Sequence, residues 1–148
     1  MKVPVAPPVG HLIAYEYLWH SKLGTREDGE KTYPAAVVLA RGDIGPTPVA
    51  YVLGISHTPP RPGQRAIEVP SKLKRHLGLD DELSWIYTDE LNIFSWPGPD
   101  IRPAEHLSTL PTARGTCVIG QLPTDWFERV KAHLIESYAL GLARTVRR

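Results

Sequence analysis

A single cysteine, Cys117, among 148 residues excludes an internal disulfide and any thiol-based metal cluster. No window approaches the roughly 18 consecutive apolar residues of a membrane-spanning helix. The first residues also lack a basic start followed by an apolar run. These absences predict a cytoplasmic protein with no membrane contact. Neither sign of charge dominates: 17 Lys and Arg against 16 Asp and Glu leave a net +1. That exerts no global pull on nucleic acid, so any such contact must come from a local patch. Arg61/Arg65 with Lys72/Lys74/Arg75 form one candidate patch and Arg144/Arg147/Arg148 another; each also reads as a solvated face. The chain has no glycine-rich phosphate loop and no Gly-x-Ser-x-Gly elbow. His11, His76, His106 and His133 show no metal-ligand spacing with one another or with Cys117, so neither a metal nor a cofactor is predicted.

Proline, by contrast, is abundant. The chain has 15, about twice ordinary usage, crowded into the N-terminus and the loops at Pro46/Pro48, Pro59/Pro60/Pro62, Pro97/Pro99/Pro103 and Pro111. Long helices cannot occupy that ground, so the centre of the chain is expected to be short strands and ordered loops. At this length one domain, residues 1–148, is the simplest organisation; residues 1–10 read as an extended Pro-rich arm. Strands are expected in 11–19, 35–40, 49–55, 64–69, 84–88, 91–96 and 116–122. Residues 20–32 read as a mobile loop and 41–46 as a turn. The second and third runs, joined by that turn, argue for an antiparallel hairpin buried on both faces. A short helix is predicted over 72–77, capped by Ser71 and stopped by Gly78, then an acidic turn at Asp80–Asp81–Glu82. Residues 101–116 read as irregular. One long helix is predicted from Asp125 to about Val146, with Thr124 as its cap and a buried stripe of Phe127, Val130, Leu134, Tyr138 and Leu142. About five to seven short strands and one terminal helix make a mainly β domain, a small β-barrel covered by helix.

The chain is organised around residues 47–60. An apolar run from Val49 to Ile55 has the length of a buried strand, and it breaks abruptly into Ser56–His57–Thr58 before Pro59–Pro60. The prolines remove donors and hold the exit extended, so the polar triplet is delivered at a fixed place. The same triplet also reads as a plain strand end with His57 in solvent. Trp96 and Phe94 are a candidate base-stacking pair, or a Trp packed under the proline turn; Trp85 and Trp126 read as core.

In that order of elements the chain resembles the MazF/PemK family of bacterial toxins, and within it the PemK-like proteins. The resemblance rests on Gly10-His-Leu-Ile-Ala-Tyr, on Lys31-Thr-Tyr-Pro-Ala-Ala-Val-Val-Leu and on Val52-Leu-Gly-Ile-Ser-His-Thr-Pro-Pro60. It also rests on the stretches from Leu77 to Ile86 and from Asp89 to Asp100, and on Gly120-Gln-Leu-Pro before the helix. It implies an SH3-like barrel, a homodimer, metal-independent cleavage of single-stranded RNA and neutralisation by an antitoxin protein. Short strands that leave edges, with an apolar Pro-rich rim, point to a dimer as well. The family's active members carry an arginine immediately before the proline opening the second strand, where this chain has Tyr33, and Ser56 stands at the family's threonine. A guanidinium there stabilises a pentacoordinate phosphate, which tyrosine cannot do. RNA cleavage by its own 2′-hydroxyl needs a proton acceptor, a proton donor and a cation for the phosphate. The expected catalytic set is His57 with Ser56, Lys31 as the cation, and Glu90 (or Asp89) as base or as orienter of His57. Thr58, Tyr33, His20, Asn92 and Trp96 are the expected RNA contacts. Each also has a structural reading: a solvated loop end for Lys31, a charged bulge for Asp89–Glu90, a loop histidine for His20. A non-catalytic interaction domain that kept the barrel and lost the arginine is the alternative.

Overall fold

The computed structural model describes residues 1–24, 31–42 and 47–148. Three antiparallel strands, β1 (His11–Tyr15), β2 (Tyr33–Arg41) and β3 (Val49–Ser56), form the centre of the sheet. Their continuous apolar runs are explained by burial on both faces: Leu12, Ala36 and Leu53 face one core, while Ile13, Ala35, Val37 and Val52 face another. Each such fully buried Leu, Ile or Val contributes roughly 1.5–3 kcal/mol. That outweighs the local preferences of the short, proline-bounded segments around them.

Both outer strands of this trio are shared along their free edges. β3 pairs through Ile55–Ser56 with β5 (Trp85–Tyr87), and β5 pairs with β4 (Ala66–Glu68). Through Val49–Val52, β3 pairs instead with β6 (Glu90–Ser95). β1 likewise divides between β7 (Ile101–Arg102) and β8 (Val118–Gln121). A parallel strand, β9 (Arg144–Arg147), extends the sheet beyond β6. The two far ends then meet with no ladder between them among the described residues. The Asn92 amide on β6 both accepts from Leu18 N and donates to Leu18 O, each at 2.8 Å. Arg148 donates to Glu16 O at 2.8 Å and pairs with Asp100 at 3.2 Å. The result is a mainly β, barrel-like sheet covered by a helix near the C-terminus.

The short helix α1 (Ser71–His76) and the long helix α2 (Thr124–Ala139) lie against the first core through Leu73, Trp126, Phe127, Val130 and Leu134. Both stop at a left-handed glycine just past the last turn, Gly78 (φ 68°) and Gly141 (φ 70°). Several expectations are corrected. α2 ends at Ala139 rather than near Val146, because Gly141 breaks it and residues 144–147 pair with β6. Tyr138 and Leu142 are therefore exposed, and Trp126 and Ser137 take their places in the buried face. Neither helix uses its expected Ser or Thr cap: Pro70 and Pro123 occupy the cap positions, and Ser71 and Thr124 are already helical. The first strand stops at Tyr15, since residues 16–19 cross to β6. Residues 101–116, expected to be irregular, contain β7 and two 3-10 turns. The N-terminal arm is tied down by the Lys2–Thr116 bridge and by the Trp96 indole donating to Pro4 O. Much of the loop expected over 20–32 and of the turn over 41–46 lies outside the described residues.

Candidate functional site

The register of the central hairpin builds the site. Ala35 lies opposite Gly54, so the start of β2 runs alongside the exit of β3. Lys31, Tyr33 and His57 consequently line one open hollow of about 90 Å³ with Lys74, Asp80 and Ser84, floored by Ile55, Leu79 and Leu107. The polar exit is shaped by its own residues: Ser56 Oγ accepts from Thr58 N at 3.1 Å, and the Tyr87 hydroxyl donates to Thr58 O. Neither Ser56 nor Thr58 lines the hollow.

His57 does not stand in solvent without a partner. Its Nε2 lies 2.9 Å from Asp80 Oδ2 and 3.6 Å from Glu82 Oε2. The other Asp80 oxygen accepts from the Lys74 ammonium at 2.6 Å. Lys74 also donates to Ser84 Oγ at 2.7 Å and to Glu82 O, so its three N–H groups each have an acceptor. With its side chain only 5% exposed, Lys74 is a buried cation tolerated through that coordination. Partial burial pushes the Asp80 carboxyl up, but the hydrogen bond and charge of Lys74, then Glu82 N–H and His57, outweigh it and hold the group below its ordinary value. An ionised Asp80 fixes the tautomer by argument: Nε2 carries the proton toward the carboxylate, and Nδ1 is left as the basic atom of the ring.

Lys74 belonged to the expected solvated patch, and that reading is corrected. Its burial was legible from Leu73 and Leu77, one helical turn apart on the face that carries it. The acidic turn was noticed as a turn, and no spacing rule linked Asp80 to a histidine 23 residues earlier. Among the described residues, His57, Asp80 and Glu82 are the one group whose ligand-type atoms come within 4.8 Å of one another. A metal there would share Asp80 with the Lys74 ammonium, which already supplies the positive charge.

Besides Ser56 and Thr58, four further expected site residues lie outside the hollow. Glu90 does not line the hollow; its Oε1 accepts from the Tyr17 hydroxyl at 3.2 Å and from His20 N at 3.1 Å. Burial raises its carboxyl above the usual range, against those two bonds. Asn92 is fully buried and spent on Leu18. Trp96 is 2% exposed, packed in the second core with its ring tilted against Phe94, so it offers no face to a base. His20 faces Arg144, whose guanidinium donates to its Nδ1 at 3.3 Å. Trp126 is core as expected, and Trp85 is half-buried.

No family model, curated protein or solved structure matches the chain. No helix among the described residues is long and apolar enough to cross a membrane.

Proposed function

We propose that the protein is a metal-independent endoribonuclease of the PemK/MazF type that cleaves single-stranded RNA, with His57 as its proton carrier. The observation that supports this most is the chain of contacts from the buried Lys74 through Asp80 to His57, at an open hollow shared with Lys31 and Tyr33. A phosphodiester in the hollow meets Lys31 as its cation. His57 Nδ1 takes the proton of the 2′-hydroxyl, the 2′-oxygen attacks phosphorus, and the 5′-oxygen leaves. Water protonates that oxygen, and the imidazolium neutralises the hydroxide so formed, restoring His57. General base catalysis of this kind contributes about 10²–10⁴-fold. On this reading the protein is a cytoplasmic homodimer held in check by an antitoxin protein.

The test is incubation of long single-stranded RNA with the purified protein in EDTA, beside His57→Ala. Cleavage by the parent and loss in the variant are expected. No cleavage by the parent, or equal cleavage by both, defeats the catalytic reading. Tyr33, standing where the resemblance places an arginine, favours a second reading as a non-catalytic binding domain on the same barrel. Nuclease activity gained by Tyr33→Arg in a protein otherwise inactive would identify a decayed enzyme.

A further inference from the structure

The chain between β1 and the 3-10 turn at His20–Lys22 is held with unusual care for a connection. Leu18 is bonded through both its N–H and its carbonyl by the fully buried Asn92, and His20 N is bonded by Glu90. A buried amide left without partners would cost about 1–3 kcal/mol, so Asn92 ties this segment to β6 with little slack. The residue between the two clamps is Trp19, and it is only partly buried.

Trp19 is set beside the hollow by its neighbours. Its ring meets Tyr33, a wall of the hollow, edge-on at 5.3 Å between centroids, and Tyr87 edge-on at 5.6 Å. Tyr17 braces it at 4.4 Å. Gly54 makes room beneath it: a Cβ there would lie 2.7 Å from Trp19 Cη2 and 3.0 Å from Cζ2. Cations flank the aromatic row. Lys31 Nζ sits 5.2 Å from the centre of the Tyr33 ring, and Arg144 lies against His20.

We propose that Trp19 is the stacking shelf for a nucleobase of single-stranded RNA, next to the nucleotide whose phosphate enters the His57 hollow. The inference rests on the reading of that hollow as an RNA site. An indole fixed at a cationic rim takes any base by its π-face, so the shelf gives affinity for unpaired bases with little sequence preference. Asn92, Glu90 and His20 serve it as positioning residues.

Fluorescence anisotropy with His57→Ala protein, which binds without cutting, compares labelled oligouridine with an abasic oligomer of equal length and charge. The base-bearing oligomer is expected to bind about tenfold tighter, the size of one stacked base. Trp19→Ala should bring that ratio to about one with the abasic affinity unchanged. Trp19→Phe should restore part of it, and Gly54→Ala, which displaces the indole without removing it, should lower it. A ratio of one in the Trp19 protein, or a ratio indifferent to Trp19→Ala, overturns the shelf while RNA cleavage by the parent keeps the His57 reading intact. A patch serving a protein partner gives that same ratio of one. Absence of binding to either oligomer, together with absence of cleavage, removes both.

Discussion

Two histidines of this molecule end up in polar clusters of similar composition and opposite electrostatics. His57 faces an ionised carboxylate at an open rim, with 43% of its side chain exposed, and a buried lysine stands behind that carboxylate. His133, on α2, has Thr88 Oγ1 2.6 Å from its Nδ1 and a guanidinium close by. Arg65 donates to Ser137 Oγ at 2.7 Å and pairs with Glu136 at 3.0 Å, while Ser137 donates to the His133 carbonyl at 3.1 Å. Thr88 and Ser137 are fully buried. Burial first, then Arg65, holds His133 below its ordinary value, with Glu136 opposing and Arg129 adding to the effect. An imidazole held by a carboxylate at an opening is placed where a ligand can reach it. One on a helix, bonded to a buried threonine beside a guanidinium, is a fastener. The chemistry therefore comes from the neighbours that topology supplies rather than from the residue type.

The contrast can be broken most directly by exchanging the losses. His57→Ala should lower RNA cleavage about 10²-fold or more with little change in folding stability. His133→Ala should do the reverse, leaving cleavage within error and moving the urea midpoint down. A matched loss of activity in both would erase the distinction.

Next in size is the support of the rim. Asp80→Asn leaves the Lys74 ammonium buried without a countercharge, and a loss of about 3 kcal/mol in urea denaturation is expected. Ser84→Ala, which removes one of three acceptors, should cost about 1 kcal/mol. Equal midpoints for Asp80→Asn and the parent would show that Lys74 finds its stabilisation elsewhere.

The pH response sharpens the comparison further. His133 titrates lower in the folded protein than in the unfolded chain, so between those two values the unfolded chain binds more protons. Stability from this group is full above about pH 6.5 and is lost as pH falls below it. The urea midpoint should decline as pH falls below about 6.5, and His133→Asn should flatten the decline. Asp80 acts in a separate, more acidic window: its folded value is depressed, so its contribution is present above its ordinary 3.8 and disappears below. A decline through pH 6 that His133→Asn leaves untouched would assign the effect to another group.

An effect as small as that of Ser84→Ala is expected of Ser137→Ala. Loss of the hydroxyl that Arg65 and Thr88 share should cost about 1 kcal/mol, read as a modest shift in the same midpoint, and leave RNA cleavage unaltered.

Much of this organisation could be read from the chain alone. The apolar runs 35–40 and 49–55 announced a hairpin buried on both sides, and the abrupt polar exit at Ser56–His57–Thr58 pointed to the end of β3 where the hollow opens. Lys31 and Tyr33 were expected there through the resemblance, and the antiparallel register sets the start of β2 beside that exit. What stayed hidden depends on long-range contacts. Asp80 and Lys74 join His57 only because α1 folds back over the exit. Glu90 was expected as a base or as an orienter of His57 and Asn92 as an RNA contact, yet both are consumed in holding residues 17–20. Trp19 looked like strand and proved to be a clamped connection. The C-terminal strand was masked by a helical pattern that Gly141 interrupts.

The closure of the sheet has one further consequence. Its two ends are joined through the Asn92 amide, the Arg148 guanidinium and Glu90, with no ladder of backbone bonds between them among the described residues. A seam stitched by side chains parts at lower free energy than the strands around it. Amides of residues 16–20 should exchange with deuterium earlier than those of β2 and β3. Sub-global breathing would therefore begin along that line, like a zip opening from one tooth, while the hairpin at the centre stays shut.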